Sequence, residues 1–144
     1  PLHHACYHGA PLDIVRYLVQ EKPESLQVTT NSGYLPLHHA CACGAPLDVV
    51  RYLVQEYPES LRATDNKGKL CFHHACACGS LLDVVRYLVQ EYPESLPMTN
   101  NNDNLPLYYA CDCGSPLDVV LYLVPRFSPG DRQLWTASFT QCML

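Results

Sequence analysis

Basic residues are scarce. Nine Lys and Arg stand against fourteen Asp and Glu in 144 residues, leaving a formal net charge of −5. They are scattered singly, apart from the short run Lys67-Gly68-Lys69. A nucleic-acid binder draws its affinity from clustered cations facing phosphates, so this balance argues against that class. Long apolar runs are missing too: no stretch approaches the roughly 18 residues that span a bilayer, and membrane insertion is not expected. The opening Pro1-Leu2-His3-His4-Ala5-Cys6 lacks the basic start and apolar stretch of a signal peptide. The sequence also has no glycine-rich phosphate loop and no nucleophile elbow. Disorder is excluded in turn, because 48% of the residues are hydrophobic.

Cysteine, by contrast, is abundant. The nine are Cys6, Cys41, Cys43, Cys71, Cys76, Cys78, Cys111, Cys113 and Cys142. A secreted disulfide scaffold carries an even set in a loop-rich chain. Here most of them fall in a recurring Cys-x-Cys inside an apolar, helix-like segment. They read as reduced thiols, which places the chain inside the cell in a reducing compartment, the cytoplasm first.

Laying the chain against itself at a spacing of 35 residues aligns nearly all of it. Unit one is 1–35, unit two 36–70, unit three 71–105, and a partial unit four 106–124. His38–Gly44 is identical to His73–Gly79, and Leu47–Leu61 to Leu82–Leu96. Self-similarity of this period marks a solenoid, in which each unit buries its apolar face against its neighbours.

Within unit two, Pro36 is a favoured first helical residue, and Gly44 supplies a left-handed stop after Cys43. A second helix opens after Pro46. Leu47, Val50, Leu53, Val54 and Tyr57 recur at helical spacing, with Asp48 in the first turn, where the dipole favours a carboxylate. Pro58 ends it, because the residue before proline is driven out of helical geometry. Asp65 to Gly68 then reads as a tight turn. Each unit is therefore helix, turn, longer helix and an extended loop with a turn at its tip.

These motifs resemble the ankyrin repeat. Pro1–Ala5 and Pro36–Ala40 match its Pro-Leu-His-x-Ala, and Gly44–Val50 is similar to its second-helix start. The resemblance covers 1 to about 124 and implies an all-α repeat solenoid whose units carry β-turn fingers. It also implies that His3, His38 and His73 are structural and that Cys6, Cys41, Cys76 and Cys111 fill space between helices. Some positions depart from the pattern. The period is 35 rather than 33, and Leu35, Leu70 and Leu105 replace the Thr whose side chain bonds the histidine. Tyr108-Tyr109 replaces His-His, and Asp103 replaces the turn glycine.

Catalysis finds no support, and no catalytic residue is expected. Asp48, Glu56 and Glu59 recur in successive units as surface and capping residues do, whereas a catalytic pair belongs to one asymmetric pocket. Metal or redox chemistry on the Cys/His-rich helices is the main alternative function. Its geometry is poor: Cys41 and Cys43 differ by about 200° around a helix, so no metal ligand set and no cofactor is expected. An architectural reading, in which the array is a spacer or forms filaments, is a further alternative.

The best-supported expectation is a module that binds a protein partner, without nucleic acid, through its concave face. It rests on where the units differ. Tyr7 becomes Ala42, Ala77 and Asp112, while His8 becomes Cys43, Cys78 and Cys113. At the loop tip Ser32 becomes Lys67 and Asn102, and Tyr34 becomes Lys69 and Asn104. The candidate partner-binding residues are therefore Tyr7, His8, Ser32, Tyr34, Cys43, Lys67, Lys69, Cys78, Asn102, Asn104, Asp112 and Cys113. Pro1 already stands at the first helix without an initiator Met, so further repeats of the same chain are an expected neighbour. From Pro125 the repeat stops, and 125–144 is expected to be a capping helix or a tail.

Overall fold

The computed structural model describes residues 1–126. Residues 127–144 lie outside the described residues, and with them nearly all of the expected capping helix or tail. Two rows of helices alternate along the chain. The first row is α1 (Leu2–Tyr7), α3 (Pro36–Ala42), α5 (Cys71–Ala77) and α7 (Pro106–Asp112). The second row is α2 (Leu12–Glu21), α4 (Leu47–Glu56), α6 (Leu82–Glu91) and α8 (Leu117–Leu123). Each helix packs on its partner within the unit and on its equivalents in adjacent units. The described residues contain no strand.

The local signals act as their chemistry requires. Gly44 sits at φ +68°, and the Ala45 N–H reaches the Ala40 carbonyl at 2.9 Å, which closes α3. The Asp48 carboxylate accepts the Val49 N–H at 2.7 Å at the start of α4. Tyr57 is extended at φ −145°, ψ 81° before Pro58, so α4 stops at Glu56. A short 3-10 turn, Pro58–Leu61, follows where a plain loop was expected. Its cause is local: the Ser60 Oγ–H donates to the Tyr57 carbonyl at 2.6 Å, and Ser25 and Ser95 repeat the bond.

The core lies between the two rows. On α4 the buried residues are Val49, Val50, Leu53 and Val54, whereas Leu47 and Tyr57 are only half-buried. The buried arc is wider than one stripe because α4 packs on α3 and also on α2 and α6. Cys6, Cys41 and Cys76 fill the seam at 0–1% exposure.

Losing the threonine before the histidine does not release the ring. The His38 Nδ1 accepts the Leu35 backbone N–H at 3.0 Å, and its Nε2–H donates to the Ala63 carbonyl at 3.2 Å. His73 accepts the Leu70 N–H in the same way, also at 3.0 Å. Its Nε2, however, is buried with no hydrogen-bond partner.

The fingers are built from backbone closure around one side chain. Asp65 Oδ1 accepts the N–H groups of Lys67 and Lys69 at 2.8 and 3.0 Å, and Asn100 repeats this for Asn102 and Asn104. Asp103 takes φ +60° at the glycine position, a conformation Asp tolerates better than most residues. Between units, the Asn66 side chain donates to the Asn31 carbonyl at 2.8 Å, and Asn101 donates to that of Asn66 at 3.2 Å. The finger tips thus form a hydrogen-bonded ladder along the array.

Candidate functional site

The candidate residues lie on the end of the first-row helices and on the fingers. Tyr7, His8, Ser32, Cys43, Lys67, Cys78, Asn102, Asp112 and Cys113 are exposed, while Tyr34, Lys69 and Asn104 are half-buried. Helix ends and turn tips hold these side chains on a rigid frame. Behind them, Leu37, Ala40 and Cys41 of α3 are buried and unavailable to a partner.

At the unit-one end the face is aromatic and imidazole-rich. Tyr7 is 56% exposed, so most of its ring is free for contact. It stands edge-on to His39 at 5.8 Å between centroids and to His8 at 5.0 Å. The His4 and His8 rings lie 4.2 Å apart on successive turns. Tyr34 serves a different purpose. Its ring packs against those of His38, His39 and His74 at 5.9, 5.1 and 5.0 Å. Burial pushes its phenol pKa up. Tyr34 therefore supports the finger base as much as it presents a surface.

Further along, charge replaces aromatic rings. Lys67 is exposed at a finger tip, and Lys69 lies with its Nζ 4.4 Å from the Tyr109 ring centroid. Between the two regions sits a contact that the sequence did not single out: His74 Nε2 to Asp65 Oδ2 at 2.9 Å, with both side chains nearly inaccessible. Burial holds the His74 pKa below its ordinary value, outweighing the neighbouring carboxylate. Burial also opposes ionisation of Asp65, but the N–H groups of Lys69 and Lys67 and the His74 ring hold its pKa below the usual carboxylate value. The pair is thus a neutral imidazole donating to a carboxylate. One repeat further on, Asn100 of unit three takes the place of Asp65, and its Nδ2 donates to the hydroxyl of Tyr109 in unit four at 2.7 Å.

Five of the eight described thiols are buried or half-buried. Cys41 is fully buried while Cys43 is exposed, in keeping with their opposite directions on the helix. Burial, reinforced by Cys78, pushes the Cys43 pKa up, and burial with Asp112 does the same for Cys113. The Cys78 sulfur faces back into the protein, donating to the Cys41 carbonyl at 2.8 Å. All eight described cysteines are free thiols. Among the described residues, no group of three or more His, Cys, Asp or Glu is gathered as a metal would need.

A family model described as ankyrin repeats (3 copies) matches residues 48–132. One described as ankyrin repeats (many copies) matches 17–75, and a single ankyrin repeat matches 1–31. No curated protein matches the chain.

Proposed function

Because the chain belongs to the ankyrin repeat family, whose repeats are generally protein–protein interaction modules and typically non-enzymatic, we propose that it binds a protein partner through its concave face. The observation that carries this reading is a separation of roles. Residues that differ between units, such as Tyr7, His8, Lys67 and Asp112, are exposed, while most invariant leucines, valines and cysteines behind them are buried. Tyr7 is the leading anchor, since exposed aromatics on a fixed frame carry much of the energy in interfaces. Lys67 and Lys69 act at longer range, steering an acidic region of the partner. The redox alternative lacks comparable support, because burial raises the Cys43 and Cys113 pKa values and leaves their thiols protonated. A reducing compartment suits the eight free thiols. Among the described residues, no helix is long and apolar enough to cross a membrane.

Affinity capture with mass spectrometry identifies the partner, and variants then test the face. Tyr7→Ala should weaken binding roughly tenfold or more, as loss of an aromatic anchor does. Lys67→Glu with Lys69→Glu should slow association and flatten its salt dependence. Arg16→Ala and Gln20→Ala, exposed on α2, are the controls. The proposal fails if the α2 changes abolish binding while the face changes leave it intact.

A further inference from the structure

We propose that a groove between α4 and α6, on the side of the second-row helices, is a separate binding site that takes an acidic peptide segment through Arg51 and Arg62. It does not depend on the concave-face reading. The groove encloses about 600 Å³, and Arg51, Val54, Leu61, Arg62, Tyr87 and Tyr92 line it. The Arg51 guanidinium lies 5.5 Å from the Tyr87 ring centroid, and that of Arg62 lies 5.2 Å from the Tyr92 centroid. Stacking on an aromatic ring fixes the guanidinium plane while its edge N–H groups stay free for a carboxylate. Neither has one. Among the described residues, the only carboxylate within ion-pair range of a basic side chain is Asp65, against His74. Two oriented cations, neither in an ion pair, therefore share one groove with Glu59 and Glu91.

The internal repeat supplies a control. A sister groove of about 460 Å³ lies between α2 and α4, where Arg16 stands 5.6 Å from the Tyr52 centroid. At the position of Arg62, unit one has Gln27 and unit three has Pro97. Glu59 and Glu91 also line the larger groove, but their counterparts recur in the other complete units as Glu24, Glu94, Glu21 and Glu56. Set against units one and three, the charged residue peculiar to this groove is Arg62.

The same two carboxylates decide the ligand class. A compact, multiply charged anion such as phosphate would bring all of its charge into a groove that Glu59 and Glu91 also line. A peptide can instead set one carboxylate on each guanidinium, rest its stems over Val54, Pro58 and Leu61, and meet the Gln55 amide with its backbone. The chain's net charge of −5 gives no general attraction for polyanions, so binding must arise locally.

Fluorescence anisotropy of labelled hexaglutamate, with hexalysine as counterpart, tests this on the full chain. Hexaglutamate should bind, and more weakly as salt rises. Arg51→Gln and Arg62→Gln should each reduce affinity roughly tenfold or more, as loss of one member of a charge pair does. Gln is the unit-one residue at the second position, so the fold tolerates it there. Arg16→Gln and the double change Lys67→Glu, Lys69→Glu should alter affinity by less than about twofold. The second of these separates this groove from the concave face. Absence of binding, an unchanged Arg62→Gln, an equal loss in Arg16→Gln or the lysine variant, or displacement by inorganic phosphate as effective as by unlabelled hexaglutamate would overturn the proposal.

Discussion

Mild acid should destabilise this array, and two fully inaccessible histidines set a large part of the loss. His38 and His73 are fully inaccessible. Burial, with repulsion from the His74 ring where acid protonates it, holds the His38 pKa at about 4 against an ordinary 6.5, and burial does the same for His73. The geometry gives the reason the neutral form is required: each Nδ1 accepts a backbone N–H, which an imidazolium cannot do. A depressed histidine pKa means that the unfolded chain binds the proton first. Stability is therefore intact above pH 6.5 and is lost as pH falls toward 4. At pH 5 the loss is about 2 kcal/mol for each histidine, or about 4 kcal/mol together. Total stabilities of 5–15 kcal/mol are usual, so this is a large share. Asp65, with its pKa depressed in the folded state, adds a second loss once pH falls below the ordinary carboxylate value of about 3.9. Urea melts followed by circular dichroism at pH 7.5, 6 and 5 measure the effect. His38→Gln should cost stability at pH 7.5 yet remove about 2 kcal/mol of the loss at pH 5. Equal stability at pH 7.5 and 5, or an unchanged pH slope in the variant, would refute the reasoning.

Two further comparisons probe the scaffold by the same melts. Gly33 has φ +81°, and a Cβ there would lie 2.6 Å from Asn66 Oδ1 and 2.9 Å from its backbone N, whereas nothing lies within 4 Å of one on Gly44. Gly33→Ala should cost about 2–3 kcal/mol and Gly44→Ala about 1, the left-handed backbone penalty alone; equal costs would mean that the finger ladder does not constrain Gly33. Leu53→Ala should cost about 2–5 kcal/mol as a buried truncation. Arg51→Ala, exposed and held only by its stacking on Tyr87, should cost less than about 1, and similar losses at the two sites would mean that the buried face of α4 is wrongly assigned.

Helix positions were legible because one-residue signals fix them: Pro36 and Pro46 mark starts, and Gly44 and Pro58 mark stops. The buried seam was legible from the period of Val50, Leu53 and Val54, but Val49 was not, since its burial depends on the adjacent α-helices rather than on its own. The candidate face was legible only as sequence variation. Burial on it follows place in the stack rather than residue type. His4, His39 and His74 are equivalent, yet they are exposed, half-buried and buried in turn. Only His74 has a carboxylate, Asp65, presented by the preceding finger. The Asn31–Asn66–Asn101 ladder was missed for the same reason, although its signal, one Asn kept at an interval of 35, was in the sequence.

The finger of unit three shows what Asp65 is needed for. Asn100 stands in its place, accepts the same two finger N–H groups through Oδ1, and donates from Nδ2 to Tyr109. A negative charge is therefore not essential to closing a finger, but a side chain with an acceptor for the backbone and a partner for the helix is. Asp65→Asn should keep both backbone bonds and offer its Nδ2 to the His74 ring, which accepts by taking its proton on Nδ1. The cost should stay within about 1 kcal/mol. Asp65→Ala strands the N–H groups of Lys67 and Lys69 and leaves the buried His74 Nε2 without its acceptor. Unsatisfied buried groups cost about 1–3 kcal/mol each, so the total should reach about 2–4 kcal/mol, the exposed Lys67 contributing least. Urea melts at pH 7.5 separate the two variants. If Asn proves as damaging as Ala, the carboxylate charge itself, rather than the hydrogen-bond pattern that the unit-three finger preserves, holds the finger to α5.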